Sequence, residues 1–468
     1  MAFSATEPLI AFYGDDNTGS TDSMEALAKN GVNTVLFLHP PGPGALERFP
    51  DARAVGVAGM TRAMAPDALA EELGRALRSL KALSPKLCHY KVCSTFDSSP
   101  TVGSIGRGIE VGMEVFGTRH VPLLVGAPIL KRYTLFGNLF ATVGIETFRI
   151  DQHPTMSRHP ITPMNEGDLR RHLALQTNRK VGLMDILALD GTNDAIDTRW
   201  DAICDAGNDI VLLDVLDDVR LEQAGRLIWR AAQGQGSLFV AGSSGVEYAA
   251  VLHWRKLGLV PVEPPARNTI GSVVQTLVVS GSCSPVTRGQ LDHVLDGLPE
   301  SERYVGIDVQ VVALLDPDRS AAVRDTITRE ALAQLDRGRS VVLLSARGPD
   351  DARIADAAKA WLSRHPDTTG LGAAIGRAQG DLMRAILGKF NAETRRCKRV
   401  IVAGGDTSGH CARALGVEAL QMIAPTAPGS PLCRASSADA QFDGIEIVLK
   451  GGQVGTSDFF ERVRTGMF

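Results

Sequence analysis

The chain has 468 residues, more than a single hydrophobic core serves, so two or three domains are expected. Hydrophobic residues make up 44% and charged residues 22%, an ordinary balance for a soluble globular protein, and a net charge of −4 argues against nucleic acid or an anionic membrane as partner. Aromatic residues are only 5%, too few to stack bases, whereas glycine, at 48 residues, exceeds its usual share of ~7%.

The opening segment MAFSATEPLI has neither the basic region nor the apolar core of a signal peptide, and no run of ~18 apolar residues follows. Seven cysteines without a CxxC pair read as reduced thiols, not as a disulfide framework or a zinc site. A cytoplasmic location is expected.

The first predicted strand is Leu9–Tyr13. YGDDNTGSTD follows it, and then a predicted helix over Ser23–Lys29 that stops at Asn30-Gly31. Strands Thr34–Leu38 and Ala54–Gly59 come next, with further strands near Val121, Val211 and Phe239. Continuous apolar strands separated by helices indicate parallel sheets with helices on both faces.

Ligands of such sheets sit beyond the carboxyl ends of the strands, where Asp15 and Asp16 fall. A carboxylate there can take a proton from a substrate hydroxyl, ligate magnesium, or simply cap the next helix. HYKVCSTFDSSPTVGSIGRG, from His89 to Gly108, crowds Lys91, Ser94, Thr95, Asp97 and Arg107 into one span. Such a mixture suits a polyhydroxy acid, cations meeting the carboxylate and hydroxyls pairing with hydroxyls; it also suits a solvated loop. Arg62, after the strand at Ala54, is another candidate at the same edge. The stretch from Thr134 to Asn165 reads as a long irregular excursion, and His159 in SRHPITPMNE is its candidate ligand residue.

EPPARNTIGS, residues 263–272, is the expected linker, separating domains at 1–262 and 273–468. The α/β pattern then restarts, and three of its strands end in glycine-rich turns. SGSCSPVTRGQ holds Ser280 and Ser282; VAGGDTSG holds Gly404, Gly405, Asp406 and Thr407; LKGGQVG holds Gly451. Glycine admits close backbone approach, and free N–H groups with hydroxyls can hold phosphate oxygens. GxxxxGK[ST], the protein-kinase motifs, a GxGxxG in the first half, HExxH and GxSxG are all absent, which excludes the commonest nucleotide and hydrolase signatures.

YGDDNTGSTD, KVCSTFDSSP, RHPITPMNEGDL, VVSGSCSPVT, VAGGDTSG, APGSPLC and VLKGGQVGTSDFF occur in that order over nearly the whole chain. As a set they resemble the four-carbon acid sugar kinase family. The resemblance implies a two-domain α/β fold, each domain a mainly parallel sheet flanked by helices, with the active site in the cleft between them. It implies ATP- and Mg2+-dependent phosphorylation of a hydroxyl on threonate, erythronate or a 3-oxo relative. It puts Asp15, Asp16, Arg62, Lys91 and Ser94 on the substrate side. Ser282, Gly372, Gly404, Gly405, Asp406, Thr407 and Gly451 fall on the ATP side. Gly14 stands where the pattern usually has alanine, Asp406 where it often has glutamate, and STFDSSPTVGSIG where many members have DSTLRG. That last run is closer to members acting on 3-oxo acids, including branched ones such as 3-oxo-isoapionate.

The expected reaction is in-line transfer of the γ-phosphoryl, with Asp16 or Asp15 taking the hydroxyl proton and Lys91 and Arg62 anchoring the carboxylate. Two rivals are a non-enzymatic sugar-acid sensor, which would need no ATP, and a nicotinamide-dependent dehydrogenase, which the missing fingerprint disfavours. A homodimer is the base-rate expectation, with no nucleic acid or membrane partner.

Overall fold

The computed structural model describes residues 7–234, 236–264, 270–392 and 397–468. The chain divides into two compact α/β units, Met1–Pro265 and Ala266–Phe468. The expected linker at 263–272 falls at this division, and its residues 265–269 lie outside those described.

In the first unit eight strands run parallel, in the order Thr34–Phe37, Ala54–Ala58, Ile10–Gly14, Leu87–Lys91, Leu238–Gly242, Val121–Leu124, Ile210–Leu213, Val181–Met184. The interior strands are apolar on both faces, as burial between helices requires: Ile10, Ala11, Phe12 and Tyr13 are all fully buried. The helix Pro66–Lys81 shows how the cover is made. Pro66 starts it, and Leu69, Leu73, Leu77 and Leu80 recur on its buried face.

The first helix begins earlier than its composition suggests. It spans Asn17–Ala28, not Ser23–Lys29, because the Asp16 side chain accepts the Gly19 N–H and caps it there. The Ser20 and Thr21 hydroxyls then bond back to carbonyls three or four residues earlier, so a glycine-, serine- and threonine-rich turn becomes helix.

The excursion after Val121–Leu124 is more regular than expected. Arg132–Leu135, Asn138–Val143 and Glu146–Arg149 pair as a three-stranded antiparallel sheet. Along Asn138–Val143 buried residues alternate with half-buried ones, a weaker signal than the apolar runs around it.

In the second unit, Val305–Asp308, Val341–Leu344, Leu277–Ser280, Arg399–Ala403 and Glu446–Lys450 run parallel in that order. Ser430–Ser437 and then Val417–Ala427 add antiparallel to this set. Val278, Val342, Ile401 and Val448 pack with Leu291, Phe459 and Phe460 into one core. Full burial of each such side chain is worth roughly 1.5–3 kcal/mol.

Candidate functional site

The first cluster lies where the strand Ile10–Gly14 meets its helix. Asp15 N donates to Lys91 O (2.9 Å) and Arg62 N to Asp15 O (3.1 Å), so three strand-end segments are stitched together by backbone. Arg62 then grips both aspartates. Its Nε and Nη2 donate to Asp15 Oδ2 and Oδ1 (3.1 and 3.0 Å), and Nη1 donates to Asp16 Oδ2 (2.6 Å). Lys91, only 2% exposed, sets Nζ 3.7 Å from Asp22.

Burial raises Asp15 to a pKa of about 6, and Asp16 pushes the same way, while Arg62 and Lys91 oppose the rise. Burial alone would lower both cations. Together the surrounding negative groups outweigh it, Asp15 foremost at Arg62 and Asp22 followed by Asp15 at Lys91, so both are held above their ordinary values. Gly19 makes the density possible: a Cβ there would stand 2.7 Å from Asp16 Oδ1 and 3.0 Å from Lys91 Nζ. Side-chain exposure separates the pair, 6% for Asp15 and 31% for Asp16.

The loop after Lys91 folds against the excursion. Thr95 donates to Asp97 (2.5 Å), and Thr162 donates to the other oxygen of Asp97 (3.2 Å). His159 Nδ1 accepts the Thr162 N–H at 3.1 Å. Thr95, Asp97 and His159 are therefore one network, joined by Thr162. Phe96 between them holds φ at +57°, a left-handed conformation that costs a bulky residue about 1–3 kcal/mol and recurs at functional loops. Ser98 continues inward, bonded to His172 (2.9 Å) and Gln176 (2.8 Å). Ser94 sits half-buried beside this network.

Arg107 is placed differently. It lies in the first turn of the helix Ile105–Phe116 and pairs with Glu110 and Glu114 on the same helix. An i,i+3 partner one turn away takes the cation before any loop can.

The second cluster is a cavity of about 390 Å³ in the C-terminal unit. Ser282, Gly372, Gly404, Gly405, Asp406 and Thr407 all line it. Gly404 opens the helix Gly405–Ala414, whose first N–H groups face no helical carbonyl. A Cβ on Gly281 would stand 2.0 Å from Thr407 Oγ1, so only glycine lets these two strand ends meet.

Two expected residues lie outside this lining. Ser280 is fully buried, and its carbonyl accepts from Gln379 and Ser345. Gly451 gives its place to its neighbour Gly452. The sequence reading missed the apolar wall of Val311, Ile354, Ala357, Leu371 and Ile375, and also Arg353. Those residues belong to helices whose apolar positions resemble any core stripe. Among the described residues no group of three or more acidic, histidine or cysteine side chains is arranged to hold a metal. No helix among them is long and apolar enough to cross a membrane.

Fold and site together define a two-domain α/β protein with a charged polar cluster in one unit and a glycine-edged cavity in the other. A family profile described as a sugar-binding N-terminal domain matches residues 10–250, and one described as a nucleotide-binding C-terminal domain matches residues 277–460. The chain is 46% identical to a 3-oxo-isoapionate kinase of Paraburkholderia graminis, covering 98% of this chain and 94% of that one. It is 30% identical to a 3-oxo-tetronate kinase of Cupriavidus necator, covering 98% and 96%. A Haemophilus influenzae structure from a family catalogued as a domain of unknown function shares the fold, with a TM-score of 0.72 at 23% identity over 98% of this chain and all of that one. A Salmonella typhimurium LT2 structure does so with a TM-score of 0.75 at 24% identity over 97% and 98%. The chain belongs to the four-carbon acid sugar kinase family. It is a phosphotransferase with an alcohol acceptor, a sugar-acid kinase that uses a nucleotide.

Proposed function

We propose that the donor is ATP and that the acceptor is the terminal hydroxyl of a branched 3-oxo sugar acid of the 3-oxo-isoapionate class. The full-length 46% identity to a kinase of that name, against 30% to a 3-oxo-tetronate kinase, carries this reading. The STFDSS run of the substrate loop supports it.

Asp16 is the base of this mechanism. It is the more accessible of the two aspartates, and Arg62 and the Gly19 N–H hold its carboxylate at the strand end. The substrate oxygen attacks the γ-phosphorus and the bond from that phosphorus to the β,γ-bridging oxygen breaks. Asp16 receives the hydroxyl proton, and ADP leaves with the bridging oxygen. Asp15 locks Arg62 from beneath. Thr95, Asp97 and His159 meet the substrate hydroxyls.

In the second unit the N–H groups of Gly405 and Asp406 hold phosphate oxygens at a helix start. The adenine packs on the wall of Ile354, Leu371 and Ile375. Asp406, exposed at the cavity edge, would hold Mg2+ through its carboxylate. The metal supplies neutralisation of phosphate charge. The acceptor hydroxyl and the γ-phosphoryl must meet for transfer, so the two ligands come together during turnover.

Coupled ADP release with Mg-ATP, run against four-carbon acids and their 3-oxo and branched relatives, tests the reading. Fastest turnover on the branched 3-oxo acid is expected. A clear preference for threonate or erythronate would overturn the substrate class.

A further inference from the structure

Three of the five N–H groups of Arg62 are committed to the aspartates in this arrangement: Nε, Nη1 and Nη2 each donate once to Asp15 or Asp16. A second arginine is in the opposite condition. Arg132 opens the strand Arg132–Leu135, and its backbone pairs both ways with Ala127, three residues beyond the end of the strand Val121–Leu124. It is therefore tied to the carboxyl edge of the same parallel sheet, with Leu87–Lys91 and Val121–Leu124 flanking Leu238–Gly242.

Arg132 Nη1 donates to the carbonyls of Leu130, Lys131 and Thr142 (3.0, 3.1 and 3.4 Å). Among the described residues no carboxylate pairs with it, and Nε is buried without a partner. Burial lowers its pKa, and the groups acting on it are Cys93, two residues past Lys91, and Tyr133. Cys93 also acts on Arg62, so both arginines lie within electrostatic reach of one position in the loop after Lys91.

His153 adds a neutral donor. It is 4% exposed, and its Nδ1 accepts the N–H groups of Thr155 and Met156 (3.2 and 3.1 Å), which puts the ring proton on Nε2. Nε2 is buried with no partner. Burial, and then the charge of Arg132, hold the ring below its ordinary pKa and so uncharged. A buried donor left without an acceptor destabilises a fold by about 1–3 kcal/mol, and here two lie within each other's electrostatic reach.

We propose that Arg132 and His153 bind the carboxylate of the sugar acid, leaving Arg62 to the aspartate pair. This deepens the sugar-acid reading and rests on it. A carboxylate accepts both N–H groups and neutralises the unpaired guanidinium.

The test compares Arg132→Gln, Arg132→Lys, His153→Phe and wild type in the coupled ADP-release assay. The acceptors are the acid panel and, for the best acid, its analogue with CH2OH in place of the carboxylate. Arg132→Gln is expected to raise KM for the acid about 10- to 100-fold with kcat changed far less, the loss of a charge-assisted pair. Arg132→Lys recovers part of that loss, and His153→Phe raises KM less. Wild type prefers acid over alcohol, and Arg132→Gln loses the preference. ATP binding by each variant, unchanged from wild type, separates a lost anchor from a lost fold. An unchanged KM and an unchanged acid preference in Arg132→Gln would overturn the assignment while the kinase reading stands. A wild-type enzyme that phosphorylates no acid of the panel would overturn the acid reading, and this inference with it.

Discussion

In the N-terminal unit the strand ending at Gly14 hands over to two carboxylates, and three N–H groups of one arginine hold them. In the C-terminal unit the strands ending at Ser280, Ala403 and Lys450 hand over to Gly281, Gly404 and Gly451. Both are strand-end sites in α/β units, yet one is built from charged side chains and the other from bare backbone. The difference follows from the ligands. A small acid offers few atoms, so recognition has to be concentrated in strong, directional side-chain contacts. A nucleotide offers a ring and a chain of phosphates, so an apolar wall and a row of N–H groups suffice.

That contrast predicts unequal sensitivity to substitution. Asp16→Asn keeps the shape of the carboxylate and removes its basicity, so kcat is expected to fall by roughly 10²-fold or more with nucleotide binding intact. Steady-state kinetics beside nucleotide titration decides it, and an unchanged kcat would remove Asp16 as the base. In the second unit the predicted damage is steric. Gly281→Ala puts a methyl 2.0 Å from Thr407 Oγ1 and should raise KM for ATP about tenfold with a stability loss of ~1–3 kcal/mol. Gly405→Ala meets no protein atom within 4 Å and should leave stability unchanged. Equal effects from the two would mean that close approach at Gly281 does not shape the cavity.

The aspartate pair also carries a pH signature on the acid side. Asp15 is raised to about 6, so below that pH it is protonated and its grip on Arg62 weakens. Because the raised pKa belongs to the folded state, ionising Asp15 lowers stability as pH rises from about 4 through about 6. Activity runs the other way, since only the carboxylate holds Arg62. A plot of kcat/KM against pH should therefore rise through an acid limb near 6 and then level. Asp15→Asn should shift or abolish the limb; its persistence there at the same pH would assign it to another group.

Much of the first site was legible because its residues are local. YGDDNTGSTD marks a strand end, a cap and a charge pair within ten positions. Lys91 and Arg62 followed from their places after predicted strands. Arg107 did not follow, because composition does not tell a loop cation from one already paired along a helix with Glu110. Thr162, Arg132 and His153 were hidden for a different reason. Their roles depend on how a half-exposed antiparallel sheet folds back on the strand ends, and alternation over four to six residues is a faint pattern. The wall of Ile354, Leu371 and Ile375 was equally opaque, since an apolar helix position looks the same whether it faces a core or a cavity.

Lys450 gives the smallest predicted effect and the sharpest link between the two recognition styles, being a buried charge inside the backbone-built site. It is 1% exposed and donates to Thr287 Oγ1 (3.2 Å), with the Phe460 ring 5.9 Å from Nζ. Thr287 in turn donates to Gly452 O (2.9 Å), at the cavity lining. Among the described residues no carboxylate pairs with Lys450, and burial lowers its pKa to about 8. The folded protein then releases this proton before the unfolded chain does, so stability rises with pH between about 8 and about 10.5. Lys450→Met removes the buried charge, so it should melt at a higher temperature than wild type at pH 7, and the advantage should shrink across that window. Phosphate groups favour the ammonium form, so wild-type affinity for ATP should fall a few-fold as pH rises past 8, while the variant stays flat. Matching pH profiles for the two proteins would show that Lys450 is packing alone. Divergent profiles would mean that even the glycine-edged site draws on one side-chain charge, held behind Thr287 and felt through it.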